Sequence, residues 1–306
     1  MIALRGREPN PVLVKELRAR FRGPRAFAAL TSFLLLLVLF AYLLYAVQVR
    51  QLGWMGGYGT PVDAAAAIGR TIFTAVAFME LVFMAFIGPA LSLNAISGEV
   101  ERQTYEMLLA TPLSGWQILG GKVGAALAYV LLLIFSALPV ISLAFLFGGV
   151  SALAVVQSQL AVFVAGAVFV MLGIFASAMA RRTARAAVLS YLTAGVLCVS
   201  PVLFIFFTEA LDLWSGGSSQ TVSALAMSVS PFAALVSITA IAFGAGGSQH
   251  LFWAQSLVIQ AAICGFLFVV AATRIRPVGR AAILPLLLVA ALVGLWAFWV
   301  VLVPPF

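Results

Sequence analysis

Residues 96–115, "ISGEVERQTYEMLLATPLSG", carry Glu99, Glu101, Arg102 and Glu106 between two long apolar runs, 69–95 and 123–147. Each run is long enough to cross a bilayer as a helix, because about 20 apolar residues suffice for the hydrocarbon core. A cluster of charges is too costly at that depth. The stretch therefore reads as a polar connection at the membrane surface, and the chain on either side as a series of spans.

Composition agrees. Of 306 residues 64% are hydrophobic and only 8% charged, with mean hydropathy +1.17, whereas soluble domains are about a quarter charged. Spans are predicted at 26–49, 69–95, 123–147, 154–180, 186–208, 251–273 and 281–303, seven in all. The net charge of +8 and pI of 10.2 would suggest nucleic acid in a soluble protein. Here it reads as charge bias in cytoplasmic loops facing anionic lipid, and no nucleic-acid partner is expected. The first 25 residues hold seven basic side chains and no apolar core of the secretory kind. No cleaved signal peptide is expected, and the N-terminus is placed in the cytoplasm. Arg102, Lys122, Arg181, Arg182, Arg185, Arg274, Arg276 and Arg280 then also fall inside, leaving Arg50 and Arg70 outside.

An apolar stretch from Thr221, "TVSALAMSVSPFAALVSITAIAFGAG", tempts an eighth crossing. It would invert everything after it and put the three last arginines outside, and Pro231 would interrupt its helix. It is read as two half-helices that dip into the outer side and return, packed on neighbouring spans.

"NPVLVKELRARFRGPR" begins with a capping residue, Asn10, followed by Pro11 at the first helical position. At 100° per residue Leu13, Val14, Leu17 and Phe21 cluster on one side and Lys15, Arg18 and Arg22 opposite, before Gly23 and Pro24 break the helix. Such a helix lies flat on the cytoplasmic surface. It serves as a topology signal or as a contact for a partner.

In the acidic stretch, Gly98 is expected to end the second span, and a single short helix is predicted over 99–111, stopped by Pro112. Glu99 and Glu101 fall in its first turn, where the helix dipole favours negative charge, and Val100, Met107 and Leu108 form an apolar side. Ser114 and Gln117 form a capping box that opens the next helix. The acids either cap the helix and pair locally with Arg102, or present a charged ridge to a soluble partner.

Residues 96–122, "ISGEVERQTYEMLLATPLSGWQILGGK", resemble the cytoplasmic loop of ABC type-2 transporter permeases, where the second span runs into I-S-x-E-x-E-x-x-T-x-E-x-L-L-x-T-P-x-S and then a helix ending in G-K. Ile96, Ser97, Glu99, Glu101, Thr104, Glu106, Leu108, Leu109, Thr111, Pro112, Ser114, Gly121 and Lys122 carry the match. The segment from Asn10 is similar to that family's N-terminal interfacial helix, whose counterparts here are Leu13, Lys15, Leu17, Arg18, Phe21 and Arg22. The resemblance covers the first half of the chain closely and the second by topology. It implies an all-α membrane protein of the inner or plasma membrane. An interfacial helix (1–25) precedes a six-span core (26–280) with a coupling loop (97–122) and an outer hairpin (209–250), and an additional span (281–306) departs from the family's pattern. It also implies that Glu99, Glu101, Arg102, Thr104, Glu106, Leu108, Leu109, Thr111 and Pro112 seat in a separate ATP-binding subunit. Two such subunits, holding ATP and Mg, would pair with two permease chains, alike or related.

The chain's own letters supply no phosphate loop: in "WQILGGKV", Trp116 stands where the first glycine belongs and Val123 where Ser or Thr belongs. ATP hydrolysis is accordingly assigned to a partner, and no cofactor to this chain. Glu80, near the middle of the second span, is either part of a pathway or a protonated side chain bonded to a neighbouring Ser, Thr or backbone carbonyl. A rival reading, an intramembrane hydrolase using Ser218 or Ser219 with His250, lacks a G-x-S-x-G elbow and an acid to orient the histidine. Another is a noncatalytic scaffold whose spans pack through small residues such as Gly173 and Ser177. One histidine cannot make a multi-histidine metal site. Cys198 and Cys264 fall in apolar runs, and Trp214, Trp253, Trp296 and Trp299 read as interfacial anchors.

Overall fold

The computed structural model describes residues 10–55, 61–180, 182–210, 227–242 and 249–275. The elements are α1 (Pro11–Phe21), α2 (Pro24–Met55), α3 (Pro61–Ser92), α4 (Ser97–Glu101), α5 (Tyr105–Ala110), α6 (Gly115–Phe147), α7 (Ala152–Met179), α8 (Thr183–Ala210), α9 (Pro231–Ala242) and α10 (Gln249–Ile275), with no strand among the described residues. Six of them, α2, α3, α6, α7, α8 and α10, are long and apolar enough to cross a membrane. The protein is an all-α, multi-pass membrane protein, and these helices occupy the first six predicted spans. The seventh, 281–303, lies outside the described residues, as do 211–226 and 243–248 of the predicted hairpin.

The second span ends earlier than expected. Helix α3 stops at Ser92, whose hydroxyl donates back to the carbonyls of Gly88 and Pro89 at 3.0 and 3.2 Å. A tight turn follows, with the Ala95 N–H on the Ser92 carbonyl, and Gly98 lies inside α4 rather than ending α3.

Helix α7 is the axis of the bundle, buried on most sides from Ala154 to Ser177 and packed on α3, α6, α8, α9 and α10. Its approach to α3 depends on small residues. A Cβ added to Gly173 would fall on the Ser92 hydroxyl and 3.0 Å from the Pro89 carbonyl, and one on Gly88 would lie 2.7 Å from the Phe169 Cβ. Removing side-chain bulk at these points lets two backbones meet, which is how helices gain contact where lipid is as apolar as the side chains. At the periphery, α2 exposes Leu35, Leu39, Tyr42 and Leu43 and α8 exposes Val188, Leu192 and Val196, side chains suited to lipid.

Helix α9 has 12 residues, about 18 Å of rise against a hydrocarbon core of about 30 Å, too short to cross by itself. It begins at Pro231, and Ser230 accepts the Phe232 N–H on its side chain at 3.3 Å. Leu235 and Ile238 are buried, Phe232 stacks on Phe78 with ring centroids 6.2 Å apart, and α10 and α7 are its main neighbours.

One end of the bundle gathers the C-terminal ends of α3, α7 and α10, the N-terminal ends of α6 and α8, and α1. Hydrogen bonds from Arg20 to Leu91, Asn10 to Gln117, Thr183 to Glu101 and Tyr105 to Ile275 tie these ends together. Lys15, Arg18, Arg20, Arg22, Arg102, Lys122, Arg182, Arg185 and Arg274 belong to this end. At the other end, where Gly148 and Gly149 turn between α6 and α7 with φ of 78° and 79°, the described segments contribute Arg50 and Arg70. Only glycine enters that turn without strain, and a Cβ on Gly149 would also lie 2.5 Å from the Ala66 carbonyl.

Candidate functional site

The charged end is built first from α1. Asn10 caps it, accepting the Val12 N–H at 3.0 Å, and its amide donates to the Gln117 carbonyl of α6 at 2.6 Å. The helix settles on α6 where that helix has no side chain: a Cβ on Gly121 would be 2.9 Å from the Val12 Cβ, and one on Gly124 3.1 Å from a Leu13 methyl. Sequence periodicity grouped Leu13, Val14, Leu17 and Phe21. The face that makes these contacts is instead set by Val12, Leu13, Glu16 and Arg20. Leu13, Val14 and Leu17 are half-buried, Phe21 is about a third exposed with its ring 5.9 Å from that of Tyr129, and Lys15, Arg18 and Arg22 are exposed.

Glu16 and Arg20 carry the polar part of that contact. Lys122 of α6, only 4% exposed, donates to Glu16 at 2.8 Å and to Glu99 of α4 at 3.4 Å. Arg20 reaches the Leu91 carbonyl at 2.7 Å, and its buried Nε has no hydrogen-bond partner among the described residues. Desolvation pulls the Arg20 guanidinium below its ordinary pKa, against the raising effect of Glu16 and Tyr129.

The acidic stretch is two helical pieces rather than the single helix expected over 99–111. Helix α4 closes with Arg102; Gln103 turns into the left-handed region at φ 58°; Thr104 then precedes α5. The Thr104 N–H returns to the Glu99 carbonyl at 3.0 Å and the Gln103 N–H to the Val100 carbonyl at 3.1 Å, the paired bonds of a Schellman end. The Thr104 hydroxyl also donates to the Glu99 carbonyl at 3.3 Å and to the Glu99 carboxylate. The bond to the carbonyl is the local competition for the backbone typical of threonine, and it accompanies the end of α4 where apolar periodicity alone would have continued it. The expected stop at Pro112 and the capping box are both present: Thr111 is extended, and Ser114 and Gln117 exchange bonds at 2.9 and 3.3 Å.

Both pieces are clipped to the span ends. The Ser177 hydroxyl of α7 accepts the N–H groups of Ile96 and Ser97, each at 2.9 Å, satisfying donors at the start of α4. The Glu101 carboxylate accepts the Thr183 N–H at 2.7 Å and its hydroxyl at 2.9 Å, capping α8. The Tyr105 hydroxyl donates to the Ile275 carbonyl at the end of α10 at 3.2 Å. Glu99 and Glu101 therefore do not pair with Arg102, as a local reading would have it: Glu99 reaches Lys122 and Glu101 reaches Thr183, while Glu106 faces outward. Partial burial pushes the Glu99 carboxyl up, but the Thr104 hydroxyl, Lys122 and Lys15 together bring it below the ordinary value. The Thr183 N–H and hydroxyl hold Glu101 below the ordinary carboxylate range, with partial desolvation opposing and Arg182 helping.

What faces outward is Arg102, Gln103, Glu106, Met107 and Pro112; Met107 is 74% exposed. Thr104, Leu108, Leu109 and Thr111 are half-buried, so the predicted ridge divides into an inward and an outward half. Between α1, the end of α3, α4 and the first turns of α6 and α8 lies a cleft of about 420 Å³, whose charged lining is Glu16, Arg20, Glu99, Glu101, Arg102 and Lys122.

Glu80 lies apart from this end, fully buried in α3. Its carboxylate accepts from the Gln159 amide of α7 at 3.0 Å, and its second oxygen has no partner among the described residues. Of the two readings of Glu80, the bonded one names a serine, threonine or backbone partner; Gln159, 79 residues away, occupies that place. Ser218 and Ser219 lie outside the described residues, Cys198 and Cys264 are free thiols, and no group among the described residues could hold a metal ion. Sequence reading missed Glu16, Arg20, Tyr105, Gln159, Ser177 as a cap, and Thr183. The available signal was a polar residue at the end of an apolar run, which names no partner. Compared with known proteins, the chain matches no family model, and no curated protein matches it significantly.

Proposed function

We propose that the protein is the transmembrane permease subunit of an ATP-driven ABC transporter of the type-2 kind, coupling hydrolysis in a separate ATPase subunit to export or extraction of a substrate. One observation carries the reading. The acidic segment is bonded to α6, α7, α8 and α10 at once and is joined to α1 through the Lys122 ammonium, while Arg102, Gln103, Glu106 and Met107 remain exposed at its surface. A partner pressing on that outward ridge would move the ends of five helices together, as a coupling element requires. Rim charges such as Arg102 and Glu106 would steer and specify the docking. In this reading the charged end is cytoplasmic, as the gathering of basic residues there favours. ATP and Mg belong to the partner, and two permease chains pair with two ATPases in the cell membrane.

The test is a mild-detergent pull-down from native membranes, scored for a co-purifying ATPase, with wild type beside an Arg102→Glu, Glu106→Lys, Met107→Asp variant. These three side chains face outward, so their exchange leaves the clips to α7 and α8 in place. An ATPase held by wild type and lost from the variant supports the reading. Absence from both overturns it in favour of a membrane scaffold.

A further inference from the structure

We infer that the cleft beneath α1 binds the headgroup of an aminophospholipid, its phosphate on Arg20 and Arg102 and its ammonium on open carboxylate lone pairs of Glu16 and Glu99. The lining carries three carboxylates and three cations. A purely anionic ligand would lie beside uncompensated acids and a purely cationic one beside uncompensated arginines; a zwitterion meets both. The internal bonds leave the right groups open. Lys122 is buried between Glu16 and Glu99, and Glu101 is engaged with Thr183. Among the described residues Arg102 is exposed and makes no ion pair, and Arg20 makes one hydrogen bond, to a backbone carbonyl, with Glu16 and Tyr129 as its electrostatic neighbours. Among the described residues Glu16 gives one carboxylate oxygen to Lys122 and its other oxygen accepts no hydrogen bond, while Glu99 gives one oxygen to Lys122 and the other to the Thr104 hydroxyl, so that only their second lone pairs are open.

Guanidinium forks match phosphate oxygens in charge and shape. A primary ammonium brings three N–H donors for carboxylates, which a choline headgroup lacks. The volume of about 420 Å³ falls within the ordinary range for a small-molecule site, about 300–1,000 Å³. Position favours a lipid over a soluble zwitterion: the cleft opens where an amphipathic helix meets the ends of three apolar helices, with Leu91 and Ala95 in its wall, the level at which headgroups lie.

The full-length protein, purified in detergent and stripped of lipid, would be titrated with dioctanoyl phosphatidylethanolamine, phosphatidylcholine, phosphatidylglycerol and free phosphoethanolamine, with adducts counted by native mass spectrometry. Phosphatidylethanolamine should saturate one site with an apparent Kd about tenfold below those of the other two lipids, and Arg20→Gln or Arg102→Gln should each remove about that factor. Arg102 is exposed, so its variant reports even if Arg20→Gln fails to fold. Equal binding of the three lipids, stronger binding of phosphatidylglycerol, or indifference to Arg102→Gln would overturn the proposal. Phosphoethanolamine binding as tightly as the lipid would overturn its lipid source. The assay contains no ATPase, so its outcome is separate from that of the permease reading.

Discussion

Lys122 and Glu16, 106 residues apart, meet at 2.8 Å with the lysine buried, and the same ammonium holds Glu99 at 3.4 Å. One cation thus joins the interfacial helix, the acidic segment and a span. Lys122→Met would leave two partly buried carboxylates facing each other. Losing one partner of a buried pair costs about 3–5 kcal/mol; because both carboxylates keep some access to water, about 2 kcal/mol is expected here. Thermal unfolding in detergent measures it, and adding Glu16→Gln should restore part of the loss, a coupling that an additive pair would disprove.

Acid should loosen the same region. The carboxyls of Glu99 and Glu101 titrate below their ordinary value of 4.5 in the folded protein. Their contribution is therefore complete above the unfolded pKa and is lost as pH falls through the folded one. The hydrogen-exchange protection factor at the first turn of α8, the rate corrected for its intrinsic pH dependence, should fall below pH 4.5 in wild type. In Glu101→Gln it should be low already at pH 7; equal protection factors in the two proteins would contradict a capping role for Glu101.

Gln103 stands at φ 58°, a conformation that costs a side chain with a Cβ about 1 kcal/mol and glycine little. Gln103→Gly should accordingly raise stability by up to about 1 kcal/mol. A fall in the thermal midpoint would mean that the Gln103 side chain makes contacts outweighing the backbone term.

Within the bilayer, Glu80→Leu removes the acceptor of the Gln159 amide and leaves that group buried without a partner. A cost of about 1–3 kcal/mol is expected, and the double change Glu80→Leu, Gln159→Leu should recover most of it. Unfolding midpoints of the three variants decide the matter.

By itself the sequence determined what local chemistry can determine. Apolar runs of about 20 residues or more place six helices, because each must satisfy its backbone internally in lipid. Asn10 with Pro11, and Ser114 with Gln117, mark helix starts because a cap reaches only two or three residues along its own chain. The tertiary structure alone decided how the helices are rotated and joined. Ser177 meets Ile96 across 81 residues, Thr183 meets Glu101 across 82, and Tyr105 meets Ile275 across 170. No periodicity encodes such pairs: they follow from the close seating of α7 on α3 at Gly173 and Gly88 and of α1 on α6 at Gly121. The break at Gln103 lies between these two cases. Its paired backbone bonds are local, yet the left-handed turn persists in a residue that disfavours it because Ser177, Thr183 and Lys122 hold α4 from three sides. Packing and buried hydrogen bonds together outweigh one residue's preference, and that balance exists only once the helices have met.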